Sequence, residues 1–206
     1  MFLVTTADQR FWNSREKILF LGEWCKRYKQ RHAWSRIDHH ILPYHWDDRK
    51  KLYRDFLFLD QVYERGLLGL SDKLNQFHGV AHSTRYWRIL IGPWLNHFIA
   101  IFYDRYLSII SAVETEKISN TWIPLWDPHD CVPSDYASFK AWYQGDEYNL
   151  YLYSWLIDAL GGIPFEVRSD IPPLSLKRLE GTSTPPAYAS KPNIGYKFAR
   201  TLENIS

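Results

Sequence analysis

Cysteine is scarce in this 206-residue chain: only Cys25 and Cys131 occur, and they form no CxxC pair. Neither a disulfide framework nor a cysteine-based zinc cluster is therefore indicated, and a reducing compartment suits the chain. The phosphate loop GxxxxGK[ST], the dinucleotide fingerprint GxGxxG and the nucleophile elbow GxSxG are all missing. Their absence argues against a self-contained P-loop enzyme, a dinucleotide dehydrogenase and an α/β-hydrolase. Charge of one sign is lacking too. With 25 Lys and Arg against 23 Asp and Glu, the net charge is +2, too small for binding driven by neutralising a phosphate backbone, so nucleic acid is not the expected partner. The most apolar stretch, Phe98 to Ile110, is interrupted by Asp104 and Arg105 and falls short of the roughly 20 residues that span a bilayer. A core helix is expected there, and no transmembrane segment. The start, MFLVTTADQRFW, has no basic region leading into a long apolar stretch with a small-residue cleavage site, so a cytoplasmic protein is expected.

Apolar residues, at 46% of the chain, suffice for a core, and the length fits one domain or one domain with an appendage. Aromatics are abundant, with ten Trp and fourteen Tyr. Such rings serve cores and also make stacking surfaces for sugars and bases.

Phe2 to Thr5, Ile18 to Leu21 and Trp122 to Trp126 read as strands, with a further one at Pro164 to Arg168. Between Trp46 and Gly66 the spacing of Leu52, Phe56, Leu59 and Tyr63 marks one helical face, with Asp47 and Asp48 at its start. From Ser83 to Ala112 a stripe of Arg85, Arg88, Gly92, Asn96, Ala100, Asp104 and Ser108 runs along an otherwise apolar helix, expected to be largely buried and to kink or break near Gly92 and Pro93. Helices are expected from Ser134 and from Asp146 to about Leu160, the latter ended by Gly161 and Gly162. This order predicts an α/β fold with helices covering a largely parallel sheet over residues 1–168. Residues 169–206, rich in Pro, Ser, Thr and Lys, are expected to form a linker or disordered tail.

Ligands of such sheets bind beyond the carboxyl ends of the strands. Gly22-Glu23-Trp24-Cys25 follows the second strand, where Glu23 can act as a general base or, alternatively, cap a helix or pair with a lysine. Arg85 and Arg88, just after the candidate cap Ser83, oppose the helix dipole and call for an anion, either a substrate phosphate or carboxylate or an acidic side chain. His39, His40 and His45, followed by Asp47 and Asp48, hold metal-ligating residue types but match no established ligand spacing. No metal is expected; His45 can orient a substrate without one. Asp127 and Asp130 in WDPHD are read as turn residues.

The blocks FLVTTADQRFW, ILFLGEWC, LPYHWDDRKKLY, HSTRYWRILIGPWL and DRYLSI, occurring in that order from Met1 to about Val167, resemble the N-terminal region of a family of transferases. That family was first catalogued in leptospiral genomes and is associated with O-antigen and other surface-polysaccharide gene clusters. The resemblance implies a Rossmann-like layered sheet, similar to the N-terminal lobe of a two-lobed, GT-B-like glycosyltransferase. The implied activity moves a sugar from a nucleotide-activated donor to a surface-glycan acceptor, with no other cofactor. Glu23 becomes the candidate base, His45 the orienting residue, and Trp24, His82, Arg85 and Arg88 the substrate-binding set. In this scheme Glu23 and the two arginines border a common cleft. Family members are longer, and the tail does not share the resemblance, so the chain is expected to be an incomplete catalytic unit lacking a C-terminal lobe. A non-catalytic domain binding glycan or a partner is the alternative, and a metal-dependent hydrolase built on His39, His40, His45 and Asp47 a further one.

Overall fold

A computed structural model describes residues 1–176. Five short strands, β1 (Phe2–Val4), β2 (Ile18–Phe20), β3 (His39–Ile41), β4 (Asn120–Pro124) and β5 (Phe165–Arg168), form one sheet in the order β3-β2-β1-β4-β5. Every pairing is parallel, with Phe2 opposite Ile18 on one side and Asn120 on the other. The chain steps outward from β1 to β3 and then returns to the opposite side of β1. The topological switch therefore lies between β1 and β4.

Five helices accompany the strands: the single turn α1 (Arg31–Trp34), α2 (Arg49–His78), α3 (Thr84–Thr115), α4 (Tyr136–Trp142) and α5 (Asp146–Leu160). The result is a Rossmann-like α/β protein, as its sequence predicts. The chain divides into two compact units, one of residues 1–42 with 109 onward and one of Pro43–Ser108.

In the sheet unit, β1 and β2 are apolar at every position because both faces are covered, the usual condition of parallel strands. Phe2, Val4, Ile18 and Phe20 alternate onto one face with Trp12 and Cys25. Leu3 and Leu19 point to the other face and are equally buried. Each such side chain contributes about 1.5–3 kcal/mol of burial free energy. Helix α5 buries Tyr148, Leu152, Tyr153, Leu156 and Ile157. It stops at Gly161, whose N–H makes the last bond, to the Ile157 carbonyl at 3.1 Å, and whose positive φ turns the chain out of the helix. Residues beyond β5 stay with this unit: Leu174 donates its N–H to the Leu125 carbonyl at 2.8 Å, and Leu176 is buried. The rest of the expected tail, 177–206, lies outside the described residues.

The helical unit is an antiparallel hairpin of α2 and the larger part of α3. Asp48 caps α2 by accepting from the Lys50 and Lys51 amides, and Gly79 closes it in the left-handed region. Asn75 clamps the connection: its amide donates to the His82 carbonyl at 2.8 Å, and its carbonyl oxygen accepts the His82 N–H at 3.0 Å and the Trp87 indole N–H at 2.9 Å. At Gly92 a methyl group would stand 2.7 Å from the Tyr63 hydroxyl, so glycine permits this close helix contact.

Several expectations change. Helix α2 runs one dozen residues past Gly66, to His78. Helix α3 is not broken at Pro93, which lies within it. Nor is its first half buried, because Tyr86, Ile89 and Leu90 are exposed. Strand β3, His39–Ile41, is not among the expected strands. No helix among the described residues is long and apolar enough to cross a membrane.

Candidate functional site

At the carboxyl ends of β1 and β2 the chain turns sharply, and its polar groups converge. Thr5 and Thr6 follow β1 and are buried. The Thr6 hydroxyl donates to Asp146 at 2.5 Å, and the Ala7 N–H donates to the same carboxylate at 3.2 Å. Asp146 opens α5, where a carboxylate is favoured by the helix dipole, and Arg27 approaches it at 3.8 Å. The loop after β1 is thus tied to the start of a helix 140 residues away.

After β2, Gly22 leads into a 3-10 turn, Glu23–Cys25. The Gly22 backbone is extended, so its need for glycine is steric: a Cβ would come within 2.0 Å of the Trp24 ring. Trp24 packs back over it, donates its indole N–H to the Thr5 carbonyl at 3.3 Å and lies parallel to Tyr153, with 1° between the ring planes. Part of the indole remains open to solvent, at 37% exposure. Glu23 projects outward with its side chain 76% exposed and stands 3.5 Å from Lys26. The next residue, Cys25, is unsuited to nucleophilic chemistry, because burial pushes its thiol pKa well up and its sulfur faces the Val4 carbonyl at 3.4 Å.

Beyond β4, Asp127 accepts the His129 N–H at 2.9 Å and caps a short 3-10 helix. That is the turn role its sequence suggests. The histidines of β3 diverge, since adjacent strand residues face opposite ways. His39 packs on Phe20 and Trp34 with Nδ1 at 2.8 Å from the Ile37 carbonyl, whereas His40 lies 3.8 Å from Glu116. Among the described residues no three His, Cys, Asp or Glu side chains gather as a metal-holding group, so the histidine-rich stretch does not assemble the cluster that a hydrolase of that kind requires.

The helical unit holds the remaining candidates at two separate ends. His45 is buried against Asp104, with Nε2 at 3.2 Å from Oδ1 but off the line of a good hydrogen bond. Tyr44 donates its hydroxyl to the same carboxylate at 2.9 Å, and Arg105 pairs with the other oxygen. Burial alone would raise the Asp104 pKa; its three neighbours, His45, Arg105 and Tyr44, more than offset that and hold it below the usual range. Tyr44 shifts upward, through burial and the adjacent Asp104 charge. Beside this group Asp55 accepts from the Trp46 indole at 2.8 Å and from Lys51 at 2.5 Å.

At the hairpin's other end, His82 stacks on Tyr86 with ring centroids 3.9 Å apart. Arg88 forms two hydrogen bonds of 2.6 Å with Glu64, which lower the Glu64 pKa and raise that of the guanidinium. Its anion is therefore an internal one. Arg85 is exposed and makes no ion pair with another described residue. Asp104 and Arg88 are separated by four and a half turns of α3, about 24 Å, so the hairpin does not bring His45 together with Arg85 and Arg88. Glu23 and Trp24 belong to the sheet unit.

Thr6, Asp146, Asn75 and Asp104 are the positions that sequence reading missed as site or positioning residues. Asp146 carried a local signal as the opening residue of a helix, and Asp104 another as a charge within the stripe along α3. No curated protein and no solved structure matches the chain significantly. A family described as LIC12162 family transferase matches residues 1–198, extending past the point where the resemblance in sequence blocks ends. On that match, spanning nearly the whole sequence, the chain belongs to the LIC12162 transferase family.

Proposed function

We propose that the chain is the N-terminal part of a glycosyltransferase of the two-lobed kind, moving a sugar from a nucleotide-activated donor to a bacterial surface glycan. The observation that carries this reading is the carboxyl edge of a wholly parallel sheet, where an exposed carboxylate and a half-open indole, Glu23 and Trp24, stand side by side on one turn. Ligands of such sheets collect at that edge. Trp24, held parallel to Tyr153, offers a flat apolar surface of the kind that receives a sugar ring.

In this reading Glu23 takes the proton of an acceptor hydroxyl as its oxygen bonds to the anomeric carbon, and the nucleoside diphosphate leaves with the electron pair of the broken C–O bond. Lys26 stands 3.5 Å from the carboxylate. His45 is set against Asp104 within the helical unit, with its side chain 6% exposed, so its proposed part is to position that end of the unit. Within the helical unit, the exposed Arg85 and His82 are the proposed contacts for an anionic or hydroxyl group, and Arg88 contributes less because it already holds Glu64.

Trp24 on its own also supports a glycan-binding domain without catalysis. A thermal-shift panel separates the two. Nucleotide sugars should raise the melting temperature if the transferase reading holds, whereas stabilisation by oligosaccharides alone favours the binding domain.

A further inference from the structure

The first turns of α2 present an outward face with an unusual composition. Arg49, Lys50 and Arg54 are exposed and make no ion pair with another described residue, and among them stand Tyr53, Phe56 and Leu57, exposed by 63%, 62% and 45%. Their spacing over nine residues places all six on one broad surface of the helix. The opposite face of these turns is satisfied internally, where Asp55 is buried and held by Trp46 and Lys51.

Nothing in helix formation selects this pattern. The first turn of α2 contains no acid, although the dipole favours carboxylates there and disfavours cations. Two exposed aromatic rings and a leucine gain nothing from water either. Both features make sense together if the face meets a surface that is anionic outside and apolar beneath. Cations interleaved with aromatic and leucine side chains are the pattern of helices that lie in a bilayer interface.

We propose that this face of α2, carried by Arg49, Lys50, Tyr53, Arg54, Phe56 and Leu57, docks the protein peripherally on an anionic lipid surface. The cations sit among the lipid phosphates, and Tyr53, Phe56 and Leu57 enter the headgroup boundary. Charge complementarity selects the occupant: three cations without partners among the described residues, on one face, call for a dense anionic surface, and the three apolar side chains call for one with a hydrocarbon layer below it. This site is independent of the glycosyltransferase reading, and its failure leaves that reading untouched.

The test is co-flotation of the full chain with vesicles of phosphatidylcholine containing 30% phosphatidylglycerol, beside vesicles of phosphatidylcholine alone. Binding is expected to the first, not the second, and to be lost at high salt. A triple R49Q/K50Q/R54Q variant should bind about one hundred-fold more weakly, on a scale of roughly five-fold for each surface cation. A Y53S/F56S/L57S variant should dissociate faster and float poorly. A variant of equal charge change elsewhere, K29Q/R36Q/K117Q, should float like the parent, and circular dichroism confirms that each variant is folded. Failure of the parent to float with anionic vesicles, or equal flotation by the R49Q/K50Q/R54Q variant, overturns the proposal; in either case an acidic protein partner becomes the better explanation of the face.

Discussion

The carboxylate of Asp146 accepts the Thr6 hydroxyl at 2.5 Å, joining the loop after the central strand to the first turn of the helix that packs beneath it. Because the Ala7 N–H ends on the same carboxylate at 3.2 Å, this one side chain fixes the backbone at the sheet's carboxyl edge. Trp24, hydrogen-bonded to the Thr5 carbonyl, depends on that backbone in turn. A double-mutant cycle on Thr6→Val and Asp146→Asn should give a coupling energy of about 0.5–2 kcal/mol, and Asp146→Ala alone should lower stability by about 1–3 kcal/mol. Urea unfolding of the four proteins measures both.

Gly22→Ala tests the packing of Trp24. Since the added methyl would overlap the indole, at 2.0 Å, the ring must leave its place against Tyr153. The expected result is altered tryptophan emission and weakened glycan binding with the fold preserved, read by fluorescence titration. Normal emission and unchanged affinity would show that Trp24 contributes no platform.

Acid should act through Asp104. Its folded pKa lies below the ordinary value of 3.8, so the carboxylate stabilises the fold above that value and the contribution is lost as the pH falls through the folded pKa. Asp104→Asn is therefore expected to cost about 1–3 kcal/mol at neutral pH, with the gap to the parent constant down to about pH 5 and narrowing below 3.8. Denaturation midpoints from pH 3 to pH 7 decide this.

Arg85 and Arg88 should differ in effect. Arg85→Gln is expected to weaken binding of a nucleotide sugar and to flatten its salt dependence, whereas Arg88→Gln should change affinity less, since Arg88 is held by Glu64 through two 2.6 Å hydrogen bonds. Isothermal titration at two ionic strengths, with UDP-glucose and GDP-mannose as probes, makes the comparison.

Much of the framework is legible in one dimension. The strands β1 and β2 are uninterrupted apolar runs because both faces are buried, and α5 announces its end through Gly161 and Gly162. By contrast β3 reads His-His-Ile: an edge strand with one exposed face needs no apolar run, so only its pairing with β2 identifies it. The true extent of α2 was hidden because its buried side turns around the axis after Val62, toward Leu67 and Ser71. Among candidate residues, Gly22-Glu23-Trp24 lies at the sheet edge where the strand order directs attention. The internal partner of Arg88 is 24 positions away, and the tie between Thr6 and Asp146 spans 140; local spacing carries no trace of either.

The base assignment of Glu23 is tested most directly by release of nucleoside diphosphate from a panel of nucleotide sugars, measured for a full-length family member, the parent, and for its Glu23→Gln counterpart, with and without surface-glycan acceptor. The parent should consume one of the donors, faster with acceptor present, and Glu23→Gln should slow turnover by about 100-fold or more with KM little changed. Equal rates for the two proteins, or no release from any donor, would contradict sugar transfer with Glu23 as its base.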